Sequence, residues 1–298
     1  MIMSKKRKKD IFNTPAGRVF DVFNIIILGV FGFITIVPFL FVIAGSFSSE
    51  LELSTRHFFI IPHGFTLEAY KYIFDAGNIF RSLLTTIGVT VVGTIVQLFC
   101  TFSMAYPLSR KGLRGRSFLM KCVVITMVFS GGMIPTFLVV KSLGLLDSYW
   151  ALILPVAINP FNLIIIKNTF QEFPEELIEA AKIDGCSEIR TFIKIVLPLS
   201  MPTIATFTLF YAVGTWNDFF NAFLYINDSS KWTLQIILRQ ITLMSDIAAN
   251  GDAVATLEIP KEAVKLGTIA VATIPILCIY PFLQKHFAKG MMLGSVKG

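Results

Sequence analysis

The chain is a series of long apolar runs separated by short polar stretches. Six apolar segments stand out, at about residues 20–46, 82–109, 117–140, 149–170, 197–222 and 266–288. Each can reach the ~20 residues that an α-helix needs to cross a ~30 Å hydrocarbon core. The runs are continuous and do not alternate with period two, so they predict helices and not barrel strands. Within lipid only those two architectures satisfy their own backbone groups. The expected fold class is all-α, a polytopic membrane protein with six transmembrane helices. Several segments carry breakers: Pro38, Gly131-Gly132 with Pro135, Pro155 with Pro160, Pro202 and Pro275. Broken spans are tolerated where protein or a water-filled path answers the freed backbone groups, which points toward transport.

Composition and charge sharpen this picture. Of 298 residues 54% are hydrophobic and 15% charged, against ~25% charged in soluble domains. The mean hydropathy is +0.71. The net charge of +7 flanks apolar segments and forms no basic stripe with interleaved aromatics. It therefore reads as a topology signal and excludes a nucleic-acid partner. With the N-terminus inside, eighteen Lys and Arg residues fall on the inner side and eight on the outer. Both termini are then cytoplasmic, in a multi-pass protein of a plasma membrane. Residues 1–19 form a cytoplasmic tail, basic at residues 5–9, and residues 20–298 a single transmembrane domain. The first apolar run is too long for a signal-peptide core. Two outer loops, about 47–81 and 223–265, are long and apolar enough to pack, as docking surfaces or as caps over helix ends. No CxxC, Cys/His cluster or catalytic triad is present, so neither a metal, a cofactor nor an enzyme activity is expected.

One polar segment, residues 171–198, carries the chemistry. Pro174 suits a helix start, and Glu175 and Glu176 sit at the positive end of the helix dipole. Gly185 suits the left-handed residue that ends the helix, and Ser187 can cap a second one. Ala180 and Ala181 make a small-residue patch, Leu177, Ile178 and Ile183 provide apolar anchors, and Glu179 adds a charge. This is the form of a knob for a partner's groove. An amphipathic helix lying on lipid is the competing reading, but Glu172, Glu175 and Glu176 disfavour a negative leaflet.

The segment resembles the EAA loop of binding-protein-dependent ABC importer permeases. That pattern is matched by Glu179-Ala180-Ala181, Gly185, Ile195 and Leu197-Pro198 without deviation in spacing, with Asp184 preceding the glycine. Ala105-Tyr106-Pro107-Leu108-Ser109-Arg110 resembles the motif closing the family's second span, and Ile134-Pro135-Thr136-Phe137 with Leu143-Gly144-Leu145-Leu146-Asp147 its third span and outer turn. The ending Gly290 to Gly298 resembles that of maltose-type carbohydrate permeases. Phe129-Ser130-Gly131-Gly132-Met133-Ile134-Pro135 and Gly214-Thr215-Trp216-Asn217-Asp218 are similar to a subset associated with complex oligosaccharides.

The resemblance implies a type I ABC importer permease fold in a bacterial cytoplasmic membrane. It implies a second permease subunit, two cytoplasmic ATPase subunits that bind ATP and Mg, and an extracytoplasmic solute-binding protein. Glu179, Ala180, Ala181, Asp184, Gly185, Ile195, Leu197 and Pro198 would couple to the ATPase, and Gly294, Val296, Lys297 and Gly298 are a candidate ATPase-contacting tail. Asn159, Asn162, Tyr211, Trp216, Asn217, Asp218 and Asn221 are candidate substrate-path residues, since sugars take hydrogen bonds and an aromatic face; belt or helix-packing roles compete. The chain has no G-x-x-x-x-G-K-[ST] and so supplies no motor. A secondary transporter or a membrane scaffold is the alternative, but the spans hold almost none of the ionisable groups that ion coupling needs. For the orientation, a cysteine at Gly112 should resist a membrane-impermeant maleimide in intact cells, whereas one at Ser229 should be labelled. The reverse pattern would overturn the assignment.

Overall fold

The structure is a computed structural model that describes residues 15–56, 58–75, 77–249 and 262–294. The expected basic segment at residues 5–9 lies outside them. The helices in chain order are α1 (Pro15–Ser46), α2 (Glu50–Thr55), α3 (Glu68–Asp75), α4 (Asn78–Ser109), α5 (Arg116–Val128), α6 (Met133–Ser142), α7 (Trp150–Ile153) and α8 (Pro160–Gln171). They continue with α9 (Glu175–Ile183), α10 (Glu188–Thr191), a π-helical turn (Phe192–Val196), α11 (Leu197–Leu199), α12 (Met201–Trp216), α13 (Phe220–Tyr225), a 3₁₀ turn (Ser229–Lys231), α14 (Leu234–Ala249) and α15 (Glu262–Gly294). No β-strand occurs among the described residues. The fold class is all-α, as the apolar runs predict.

All six predicted segments fall on helical chain, with breaks near Gly132, Pro160 and Pro202 but none at Pro38 or Pro275, which lie inside continuous helices. Among the described residues, α1 and α4 are unbroken helices long and apolar enough to span a membrane. The third segment splits into α5 and α6, which meet at 116°. α5 stops at Val128, where Phe129 is extended, and Gly132, at φ +89, is the N-cap from which α6 starts in a new direction. The fourth splits into α7 and α8, because the Asn159 side chain accepts from the Asn162 N–H and starts a new helix at Pro160. The fifth bends by 80° at Ser200, ahead of Pro202, and its α12 ends at Trp216, short of residue 222. The sixth lies within α15.

The chain packs as two compact units, Met1–Asp75 with Ile247–Ala270 and Ala76–Asp246 with Val271–Gly298. In the first, α1 has a mean hydropathy of 2.8 and leaves its most apolar stretch unburied. Side chains such as Val19 and Phe31 are exposed all round it. Such a surface is stable only in hydrocarbon. Past its end, residues 47–56 and 58–75 fold into a cap. The Glu52 carboxylate, 8% exposed, accepts from the backbone of His63 (3.0 Å) and Gly64 (3.3 Å) and from Arg56 Nη1 (3.0 Å). The His63 N–H first of all, with the other two, holds this carboxyl below the usual glutamate range. Glu50 accepts from the N–H groups of Glu262 (3.2 Å) and Ala263 (3.4 Å), capping α15. Gly267 lets α15 approach α3: a Cβ there would lie 2.9 Å from Ile73 Cδ1 and 3.7 Å from Ala69 Cβ.

In the second unit α4 packs along α8 and α12. Its apolar faces look outward, while Ser82, Thr86, Thr94, Gln97 and Thr101 are buried. Polar residues thus face protein and not lipid. Thr101 shares a hydrogen bond with the Tyr211 hydroxyl (2.9 Å), and Thr86 Oγ1 accepts from the Leu234 N–H (2.8 Å). Two apolar clusters flank this stripe. One is centred on Phe102, Tyr106, Phe170 and Phe207, the other on Val89, Leu152, Tyr225 and Ile236. Overpacking a close approach typically costs about 1–3 kcal/mol. Gly267→Leu should therefore lower the melting temperature in detergent and the yield of folded protein. Gly88→Ala, with open space at its Cβ, should leave both unchanged or slightly raised.

Candidate functional site

The segment after α8 forms the expected helix, turn and helix. Glu175 and Glu176 occupy the first turn of α9, and Pro174 stands just before it. The helix ends in a Schellman arrangement: Gly185 N–H donates to the Lys182 carbonyl (3.0 Å) and Cys186 N–H to the Ala181 carbonyl (2.9 Å). Asp184 is the C-cap, and Gly185 carries φ +75, where a side chain is strained. Ser187 Oγ accepts from the Arg190 N–H (3.4 Å) and starts α10. From there the chain turns into the bent fifth span.

Burial divides the residues of α9. Ile178 and Ala181 are buried against the chain itself, at 5% and 4% exposure. Leu177, Glu179, Ala180 and Ile183 look outward, Ile183 at 86%. The expectation that Ala181 shares an outward small-residue patch with Ala180 is corrected. Neighbouring positions are 100° apart on a helix, and the contact of α9 with its own chain takes Ala181. Ile178, expected as an outward anchor, is also an inward one. Ile195 lies in the π-helical turn and is half-buried, Leu197 packs on the Phe102–Phe170 cluster, and Pro198 is exposed in α11.

Behind α9 lies a cavity of about 1170 Å³, open to the surface and lined by the end of α4, the 111–113 turn, α9 and the π-helical turn. Ion pairs bridge its rim. Lys111 Nζ is 2.6 Å from Glu175 Oε1, and this pairing holds the Glu175 carboxyl below the usual range. Lys182 Nζ is 2.7 Å from Glu188 Oε1. The Tyr106 hydroxyl donates to Glu188 Oε2 (3.0 Å), and the Tyr106 ring lies between Phe192 (4.8 Å) and the Arg110 guanidinium (4.5 Å). Sequence reasoning did not single out Glu188 or Lys111. The tyrosine motif closing the second span was visible, but its partner stands 82 residues further along.

The substrate-path candidates are not brought together in one open site. Asn159 caps α8. Tyr211 is buried on Thr101, and the buried Trp216 donates from Nε1 to the Ala272 carbonyl (3.0 Å). Asp218 accepts from the Asn221 N–H (3.1 Å) and Nδ2 (2.8 Å), which caps α13. Asn217 is exposed and Asn162 half-buried. A stripe that sequence reasoning missed runs along α4. Thr90 Oγ1, Thr94 Oγ1 and Gln97 Oε1 are buried without a hydrogen-bond partner, about one to three turns from Thr101. Polar residues at 90, 94, 97 and 101 within an apolar run were the available signal. Of the candidate tail, Gly294 ends α15, and Val296, Lys297 and Gly298 lie outside the described residues.

Comparison with known proteins agrees with this architecture. Residues 97–293 match the family described as binding-protein-dependent transport system inner membrane component. The chain is 65% identical to Protein LplC of Bacillus subtilis (strain 168) over 96% of its own length and 97% of the relative's. It is 55% identical to the polygalacturonan/rhamnogalacturonan transport system permease protein YtcP of the same organism, over 94% and 99%. It also superposes on a chain in a crystal structure of a bacterial ABC transporter involved in the import of the acidic polysaccharide alginate. That match has a TM-score of 0.83 and 30% identity, covering 93% of this chain and 99% of the other. With the EAA pattern in place on its helix and turn, this chain belongs to the binding-protein-dependent transport system inner membrane components.

Proposed function

We propose that the chain is one permease subunit of an ATP-driven oligosaccharide importer and that α9 is its coupling helix. The observation that carries this reading is the outward face of α9. Leu177, Glu179, Ala180 and Ile183 project from a helix whose other side is anchored by Ile178 and Ala181 and whose end is fixed by Gly185. An exposed apolar-and-acidic face on a rigidly held short helix fits a groove in a protein partner.

The partner in this reading is a pair of cytoplasmic ATPase subunits, which bind ATP and Mg and perform the hydrolysis. A second permease completes the translocation path, and a solute-binding protein delivers the sugar from outside. Both termini lie in the cytoplasm, in keeping with the basic asymmetry of the loops. The tail Gly294, Val296, Lys297 and Gly298 adds a second ATPase contact. The names of the relatives favour uronate-bearing oligosaccharides as cargo. In the path, Asn162 and Asn217 retain accessible polar groups, and the unpartnered oxygens of Thr94 and Gln97 offer sugar hydroxyls a partner when the spans part.

The docking reading is tested on the outward face. Ala180→Trp and Ile183→Glu should insert at normal levels yet fail to co-purify ATPase subunits. Gly185→Val places a β-branched residue at positive φ, a strain of about 1–3 kcal/mol, with nothing within 4 Å to clash. It should misdirect α9 and abolish stimulation of ATP turnover by the loaded binding protein in nanodiscs. Full association and full stimulation in all three variants would show that α9 is not the docking element. For the cargo, the cognate solute-binding protein should bind oligogalacturonates in preference to neutral oligosaccharides of equal length, and the opposite preference would overturn the uronate assignment.

A further inference from the structure

Docking of α9 leaves open how its displacement reaches the membrane. Of the two covalent connections of α9, one runs back to α8 through residues 172–174, and the other, forward into the fifth span, is interrupted three times. Gly185 turns the chain in the left-handed region, residues Phe192–Val196 form a π-helical turn, and the helix breaks by 80° at Ser200. Each break adds compliance, because local hydrogen bonding is rearranged there. The second span has no such interruption. α4 is one 32-residue helix from Asn78 to Ser109, with Pro107 only in its last turn. It packs along both α8 and α12.

We infer that Tyr106 and Glu188 are positioning residues that deliver the motion of α9 to α4. Glu188 is a node. One carboxylate oxygen takes Lys182 from the last turn of α9 (2.7 Å), and the other takes the hydroxyl of Tyr106 from the last turn of α4 (3.0 Å). Tyr106 is 7% exposed and held between Phe192 and Arg110, so its hydroxyl is fixed in direction. At the other end of α9, Lys111 holds Glu175 (2.6 Å), but both side chains are mainly exposed and the pair is screened by solvent. The Tyr106–Glu188 bond is the less exposed link to the uninterrupted helix, and the half-exposed Lys182–Glu188 pair ties that node to α9. With it made, a tilt of α9 pulls directly on α4 and through it on α8 and α12. With it cut, α9 still docks, but this tie to α4 is gone and its motion passes through the three soft points, the short link back to α8 and the exposed Lys111–Glu175 pair.

This inference rests on the importer reading, and its test separates the two. Tyr106→Phe keeps the ring packing and removes the hydroxyl. Glu188→Gln keeps an acceptor of the same shape and removes the charge. In the full complex in nanodiscs, both variants should retain the ATPase subunits and hydrolyse ATP at the unstimulated rate. Stimulation by the loaded binding protein should fall about tenfold, the scale of one lost charge-assisted hydrogen bond. Fewer sugars should be imported per ATP, a ratio that a purely structural role would not move. The double variant should be no worse than the weaker single one, because both substitutions act on one node: Tyr106→Phe removes the bond to Glu188, and Glu188→Gln weakens that bond and the Lys182 pair together. Unchanged stimulation, additive losses, or loss of the ATPase subunits would each overturn the inference. Ile183→Glu assayed in parallel reports on docking alone. If it releases the ATPase while Tyr106→Phe is fully stimulated, only the link between Tyr106 and Glu188 fails.

Discussion

Hydrocarbon offers no hydrogen-bond partner to a peptide group, and every interruption of a span must be answered from within the protein. This constraint organises the second unit. Where the fourth span breaks, Asn159 supplies an acceptor for the freed N–H of Asn162. Where α12 ends, Asn217 Nδ2 donates to the Val213 carbonyl (2.9 Å) and Asp218 takes the Asn221 N–H. At the turn between α6 and α7, Asp147 accepts from the backbone of Asn227 and Asp228 while its own carbonyl takes Lys231 Nζ (2.8 Å). Residues that look like a sugar site in sequence are largely engaged in this repair.

The breaks are tolerable because α4 is whole. Its lipid side is apolar, and its buried stripe of Thr86, Thr101 and Gln97 meets Leu234, Tyr211 and Thr215. Hydrogen bonds of this kind between helices contribute modestly one by one. They also fix rotation, which apolar packing against lipid-like neighbours does poorly. Gly93 lets Thr215 come within 3.4 Å of the position a Cβ would take, so the C-terminal end of α12 lies close to the middle of α4. An unbroken helix bordered by broken ones is a suitable body for moving as a unit while its neighbours bend.

The EAA loop follows the same division between rigid and compliant parts. α9 is short, but it is held on three sides: by Ile178 and Ala181 beneath it, by the Schellman turn at its end, and by the Lys182–Glu188 pair. Its outward residues need no partner within the chain. A helix so held presents its surface in one orientation, which lowers the ordering cost of docking. The π-helical turn beyond it is a common feature where a helix must yield.

The sequence by itself determined the all-α fold class, the breaks near Gly132, Pro160 and Pro202, and the helix–glycine–helix form of the EAA loop. These depend on local properties. Hydropathy sets where lipid can surround the chain, proline and glycine set where the backbone cannot continue, and the αL requirement at Gly185 is met within six residues. Long-range geometry was decided only by the tertiary structure. That Ala180 and not Ala181 looks outward depends on where α9 meets the rest of the chain. That Tyr211 and Trp216 bind Thr101 and the Ala272 carbonyl depends on helix rotation, which a helix apolar on all sides does not encode. The meeting of Tyr106 with Glu188 joins the ends of two elements 82 residues apart, and no periodicity in either one announces the other.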